Sequence, residues 1–289
     1  MIMKNVLSGR RIILISIIAL AVAISALFFV YFHTMTETSY NNTYDKTPRA
    51  AIIDQLYDDY PNPTFENMAK RDLQYAGYKV DIYTTKSVTI DFYKNLPLMG
   101  YKIIIIRSHA STSFSNNTKT ASADIFTGER YSPDKYTLEQ ILGLVDKSSY
   151  VFLDYGVTHT GNGGFSIREH DSASGTYFSI GSKFVDQQMQ GKFPGSIVII
   201  GGCDSLSSPI LADSLVKRGA STVIGWDKLV MANHNDAVML GVLNSLLVDK
   251  SDVQDAINST MYKLGPDPIF SSVLKYYPAS AGNIRVGMN

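Results

Sequence analysis

The chain is poor in cysteine, in tryptophan and in unbalanced charge. It has one Cys and one Trp in 289 residues, and 26 basic side chains balance 26 acidic ones. A single cysteine rules out an internal disulfide, so the fold rests on its hydrophobic core. The thiol is left with three roles: buried small hydrophobe, free surface thiol or nucleophile. Neutral balance argues against a nucleic-acid partner, which calls for a basic face. No run of like charges marks a tail for an acidic or basic partner. The five histidines show no zinc-site spacing, and Cys203 has no companion thiol. No metal or other cofactor is expected. The run Gly161 to Gly164 matches no phosphate loop and opens no clear helix.

One long hydrophobic run is present. Lys4, Arg10 and Arg11 precede Ile12 to Phe32, which carries no charged residue. About 20 apolar residues span a bilayer as a helix, and cleavable signal peptides have shorter apolar cores. Residues 10–32 therefore read as an uncleaved transmembrane anchor. The positive-inside rule places residues 1–9 in the cytoplasm and the C-terminal domain outside. A form secreted after cleavage is the competing reading, since Ala21, Ala23 and Ala26 supply small residues. Residues 33–48, rich in Thr, Asn, Ser and Tyr, read as a polar stalk. The triplets beginning at Asn41, Asn116 and Asn258 fit the glycosylation acceptor pattern, which suits an outside location without establishing it.

From residue 49 to 289 the pattern alternates between strand and helix. Strands are expected at 50–56, 79–84, 102–107, 150–154, 176–180, 197–200 and 221–225. Helices are expected at 65–76, 90–98, 137–145, 184–189, 210–216, 237–247 and 253–264. Thr64 is the expected cap of the first helix. This alternation predicts one doubly wound α/β domain with a mostly parallel sheet and flanking helices. The long stretch between His109 and Cys203 carries elements beyond the common α/β unit.

Two strands end on reactive residues. Tyr-Lys-Ile-Ile-Ile-Ile-Arg-Ser-His ends at His109, and Ser-Ile-Val-Ile-Ile-Gly-Gly-Cys ends at Cys203. Such runs read as strands buried on both faces. In open parallel sheets ligands sit outside the carboxyl ends of the strands. A histidine and a lone cysteine at that rim suggest a thiolate nucleophile with an imidazole partner. The bland readings are a buried inert thiol and a structural histidine. His159, which also follows a strand, reads as a loop residue, and His170 and His234 as solvent-facing.

Those stretches, followed by Ala220-Ser-Thr-Val-Ile-Gly-Trp226 and Asp236-Ala237, resemble the caspase–gingipain class of cysteine peptidases, closest to its CHAT and separase branch. The resemblance implies a caspase-like sheet whose neighbouring central strands deliver the histidine and the cysteine. It implies an oxyanion site made by the backbone N–H groups of Cys203 and of the residue after the histidine. Here that residue is Ala110, where the family usually has glycine. It also implies that loops after the first strand and after Gly225 line the pocket for the residue before the cut. Asp54 and Asp227 are then the candidates to favour Arg or Lys there, with Asp204 a third and Trp226 at the rim. The expected function is a membrane-anchored cysteine endopeptidase acting on peptide or protein substrates. The alternative is a catalytically inactive binding or sensor module on a membrane stalk.

Overall fold

The computed structural model describes residues 24–27, 47–114, 121–150, 158–160, 164–166 and 175–287. The chain divides into two units, 1–46 and 47–289. Most of the expected anchor and stalk, all of the strand expected at 150–154 except Tyr150, His170 and the Asn41 and Asn116 triplets lie outside the described residues. Residues 24–27 are helical. Among the described residues no helix is long and apolar enough to cross a membrane.

The second unit is a mixed α/β domain. Its elements in chain order begin with β1 (Arg49–Asp54), α1 (Pro63–Tyr75), β2 (Lys79–Thr84), α2 (Ile90–Asn95) and β3 (Tyr101–Arg107). There follow β4 (Ala110–Phe114), β5 (Ala121–Arg130), α3 (Thr137–Ile141), β6 (Asp146–Tyr150), β7 (Thr158–Thr160), β8 (Gly164–Ser166) and β9 (Gly175–Ile180). The chain then forms α4 (Ser182–Gln187), β10 (Ile197–Gly201), α5 (Ile210–Lys217), β11 (Thr222–Trp226), α6 (Ala232–Leu247), α7 (Val253–Leu264) and β12 (Leu274–Tyr277).

Six strands form the main sheet in the order β12-β11-β10-β3-β1-β2. All its pairings are parallel except β11 with β12. Alternate residues of the central strands feed two cores, because successive side chains leave a strand on opposite faces. Ile104 and Ile106 of β3 and Val198 and Ile200 of β10 pack with α2, α4 and α5. Ile103, Ile105, Ile197 and Ile199 pack with α1, α6 and α7. Burial on both faces is why these strands read as unbroken apolar runs.

The segment between β3 and β10 builds a second sheet, β4-β5-β9-β6, antiparallel throughout. Its Ile125, Phe178 and Ile180 join the first core. One cap expectation shifts. Asn62, not Thr64, caps α1, its side chain accepting from Phe65 N–H, and Pro63 fills the first helical position. The third acceptor triplet lies inside α7, where Asn258 is exposed but Thr260 is buried.

Candidate active site

β3 and β10 are neighbours in the main sheet, in register to their last residues, Arg107 opposite Gly201. One step further Ser108 N–H donates to Gly201 O at 3.2 Å. His109 and Cys203 therefore leave the sheet on adjacent strands at one rim. The two glycines before the cysteine are set by close approach. A Cβ on Gly201 would lie 2.1 Å from Met239 Sδ of α6, and one on Gly202 would lie 2.8 Å from Ser108 O and 2.9 Å from Ala110 Cβ. Real Cβ atoms do not come so near, so neither position accepts a larger residue in this arrangement.

Past Cys203 the chain turns sharply. Asp204 adopts a left-handed backbone, φ 55°, a conformation that Asp tolerates better than most side chains. The turn is stapled to β11 and the loop after it: Asp204 N–H donates to Lys228 O at 2.9 Å and Leu206 N–H to Trp226 O at 2.7 Å. Ser205 Oγ bridges Ile200 O and Trp226 N–H. The Cys203 side chain faces that loop. Val230 N–H donates to Sγ at 3.5 Å, and the thiol donates to Val230 O at 3.6 Å. Burial pushes the Cys203 thiol up; the Val230 contact opposes this, and the Asp204 and Asp267 carboxylates add to it. The electropositive setting that would favour a thiolate is not what surrounds the sulfur, and the resting form is the thiol.

His109 is fixed through its backbone. Its N–H donates to Gln55 Oε1 at 3.0 Å, and its carbonyl accepts from Ser108 Oγ at 2.7 Å and Phe126 N–H at 3.1 Å. The imidazole packs among aromatic rings. It stacks on Tyr150 at 3.8 Å between centroids and 21° between planes, and Phe126 meets it edge-on at 5.8 Å. Burial lowers its pKa to about 4; the Asp59 charge raises it and Arg107 lowers it further. The group at neutral pH is thus an uncharged imidazole and, with its pKa this low, a weak base.

The Phe126–His109 bond also orients Ala110. Bonded and non-bonded pairs alternate along an antiparallel ladder, so the Ala110 N–H, in the next pair with Ile125, turns away from β5. It faces the side where Gly202 packs: a Cβ there would lie 3.5 Å from Ala110 N.

The proposed substrate carboxylates are placed differently. Asp54 is fully buried and holds the Arg107 guanidinium at 2.9 and 3.1 Å. Asp54 and Arg107 are register partners on β1 and β3. Asp236 takes the other side of the same guanidinium at 2.8 and 2.9 Å. Burial pushes the Asp54 carboxyl up, against the pull of Arg107. Asp54 is therefore a structural ion-pair partner and cannot meet a substrate. Asp227 is occupied as well, accepting from Val273 N–H at 2.8 Å and pairing with Lys275 at 3.1 Å. Trp226 is fully buried, its indole N–H donating to Asn235 Oδ1 at 2.8 Å, so it belongs to the core rather than to a rim. Asp204 is partly exposed and adjacent to the nucleophile, its carboxyl raised by burial and eased by the Thr112 hydroxyl. His234, expected in solvent, lies with its ring 5.8 Å from that of Trp226. His159 sits on β7.

Several residues that shape this rim went unread in the sequence: Gln55, Phe126, Tyr150 and Val230. Asp59 belongs to the loop after the first strand that the resemblance places at the pocket, and Gln55 follows β1 at the same rim, which was the available signal. Tyr150, Phe126 and Val230 come from elements whose approach no local pattern announces. Among the described residues no group of three His, Cys, Asp or Glu side chains could hold a metal ion. No protein-family model and no curated protein matches the chain.

Proposed function

We propose that this protein is a caspase–gingipain-type cysteine endopeptidase, with Cys203 as nucleophile and His109 as base. The observation that carries this reading is the shared register of β3 and β10, which sends both residues off one rim of a mostly parallel sheet. In this reading the uncharged imidazole takes the thiol proton as the sulfur attacks a peptide carbonyl, then returns it to the leaving amine. The backbone N–H groups of Cys203 and Ala110 receive the oxyanion. Since the sulfur rests as a thiol against Val230, attack requires the loop at 227–231 to give way. A preference for basic residues before the cut now rests on Asp204, because Asp54 and Asp227 are engaged elsewhere. The catalytic domain is carried outside the cell by the anchor at 10–32.

A second reading is favoured by a specific observation. The sulfur's hydrogen-bond partner is Val230 and the imidazole packs on Tyr150, so thiol and imidazole are each engaged on different neighbours. A catalytically silent binding module on a membrane stalk would look the same. Cleavage of a mixed peptide library separates the two. The peptidase reading expects turnover that Cys203→Ala and His109→Ala each abolish. Turnover that survives Cys203→Ala, or none under any condition while the folded protein still binds peptide, overturns it.

A further inference from the structure

The ring beneath His109 is held by a carboxylate. Tyr150 Oη donates a hydrogen bond to Asp59 Oδ2, and Tyr177 Oη reaches the same oxygen at 3.4 Å. The two tyrosine rings stack on each other at 5.9 Å and 19°, and the Arg130 guanidinium lies 4.4 Å over the Tyr177 ring. Tyr150, Tyr177 and Phe126 form a buried cluster of their own. The order through space is thus carboxylate, phenol, imidazole. The familiar way to orient a catalytic imidazole is a carboxylate bonded to its ring nitrogen. Here the carboxylate is bonded to a tyrosine whose face lies against the imidazole.

We propose that Tyr150, anchored by Asp59, is the positioning residue of His109, holding the imidazole by its ring face and stabilising the positive charge that forms when the thiol proton is taken. The proposal rests on His109 being the base. In the step concerned the Cys203 S–H bond breaks and an imidazole N–H bond forms, leaving thiolate and imidazolium. An imidazolium enclosed by Phe126 and Tyr150 is poorly hydrated, and a π face is one of the few groups able to receive it. The hydrogen bond to an anionic acceptor leaves more electron density on the phenol ring. The charged and titratable groups that act on His109 are Asp59 from the loop after β1, Arg107 of β3 and Tyr150 of β6, with Tyr177 of β9 stacked on Tyr150. Asp59 is the one among them that favours the imidazolium by charge, and Arg107 opposes it.

The test combines peptide-cleavage kinetics with NMR titration of the His109 ring in wild type, Tyr150→Phe, Tyr150→Leu, Asp59→Asn and the Asp59→Asn/Tyr150→Phe double variant. Tyr150→Phe keeps the ring and the fold while cutting its tie to Asp59. We expect the imidazole midpoint to fall in the order wild type, Tyr150→Phe, Tyr150→Leu. We expect kcat to drop at least tenfold in Tyr150→Leu with KM within twofold, and the acid limb of the pH profile to move with the midpoint. Asp59→Asn should lower the midpoint further than Tyr150→Phe, because it removes the charge as well as the anchor, and the double variant should fall short of the two single effects added together, because part of the carboxylate's effect passes through the phenol. An unmoved midpoint in Tyr150→Leu overturns the proposal, as does an Asp59→Asn effect that persists undiminished in the Tyr150→Phe background. Should no variant, wild type included, cleave peptide while the titration order holds, the peptidase reading fails and the positioning of His109 by Tyr150 stands.

Discussion

Arg107 shows how one side chain can join elements that are far apart in the chain. Its guanidinium lies between Asp54 of β1 and Asp236 of α6 and donates also to Tyr60 O at 2.8 Å. A planar fork can satisfy acceptors on several sides at once, and a lysine ammonium cannot. Removing the cation leaves two buried carboxylates facing each other. Arg107→Met should therefore cost ~3–5 kcal/mol, read as a lower urea midpoint, and Arg107→Lys should recover only a minor part. A stability within ~1 kcal/mol of wild type for Arg107→Met would show that burial of the charges offsets their attraction. The same residue explains a misreading. Asp54 looked like a substrate carboxylate because it ends a strand at the ligand-binding rim. Opposite charges at the ends of two neighbouring strands were visible in the sequence, but their register, Asp54 opposite Arg107, was not.

Among elements, the loop at 227–231 between β11 and α6 matters most to the nucleophile. It is pinned at both ends by carboxylates. Asp227 binds Val273 N–H and Lys275 on the β12 side. Asp267, itself buried, accepts from Met231 N–H at 2.8 Å and also from Ile269 and Phe270 N–H. Between these pins Val230 clasps Cys203. Because the chain has one cysteine, any thiol signal reports on this contact alone. Iodoacetamide should alkylate folded Cys203 more slowly than a free thiol at pH 8, with a rate that climbs as pH passes above the ordinary thiol range. Asp267→Ala removes three acceptor contacts and a nearby negative charge, so it should raise the alkylation rate several-fold. Asp267→Asn removes the charge while keeping an acceptor, and its rate should fall in between. Equal rates in all three proteins would mean that the loop does not govern access to the sulfur.

Elements differed in how well the sequence announced them. β3 and β10 were plain because residues buried on both faces must be apolar in succession. β4 and β5 were missed because their sequences, Ala-Ser-Thr-Ser-Phe and Ala-Ser-Ala-Asp-Ile-Phe-Thr-Gly-Glu-Arg, are mostly small and polar, with only a short alternation at Ala121, Ala123 and Ile125. On one face of their sheet hydroxyls pair with one another: Ser111 bonds Ser148 at 3.1 Å, and Ser148 bonds Ser179 at 2.7 Å. Small and polar side chains give a weak periodic hydrophobic signal. Cys203 and His109 were legible as a pair of strand ends. Their aromatic and loop neighbours were not, since those contacts are made by segments far apart in the chain.

For the molecule as a whole, two buried groups pull its pH dependence in opposite directions. The His109 imidazole has its pKa lowered by burial to about 4, so the unfolded chain takes this proton first as pH falls. Its contribution to stability is lost between about 6.5 and 4. Asp124, buried in the second sheet, is the reverse. Burial pushes its carboxyl up to about 7, with Asp146 adding to the rise and the Ser113 hydroxyl reducing it. The folded protein takes this proton first, so the group adds stability as pH falls from 7 to the ordinary 3.8 of an aspartate. Above pH 7 the ionised carboxylate is a standing cost of up to ~4 kcal/mol. Between pH 7 and 4 the two effects oppose, and the raised Asp54 carboxyl acts in the same direction as Asp124. Asp124→Asn removes one contribution. It should be more stable than wild type at pH 8, with the advantage shrinking steadily and gone near pH 4. Urea melts of both proteins across that range provide the check. A gap between them that is the same at pH 8 and pH 4 would mean that Asp124 carries no charge-dependent cost, and the second sheet would tolerate an ionised carboxylate in its interior.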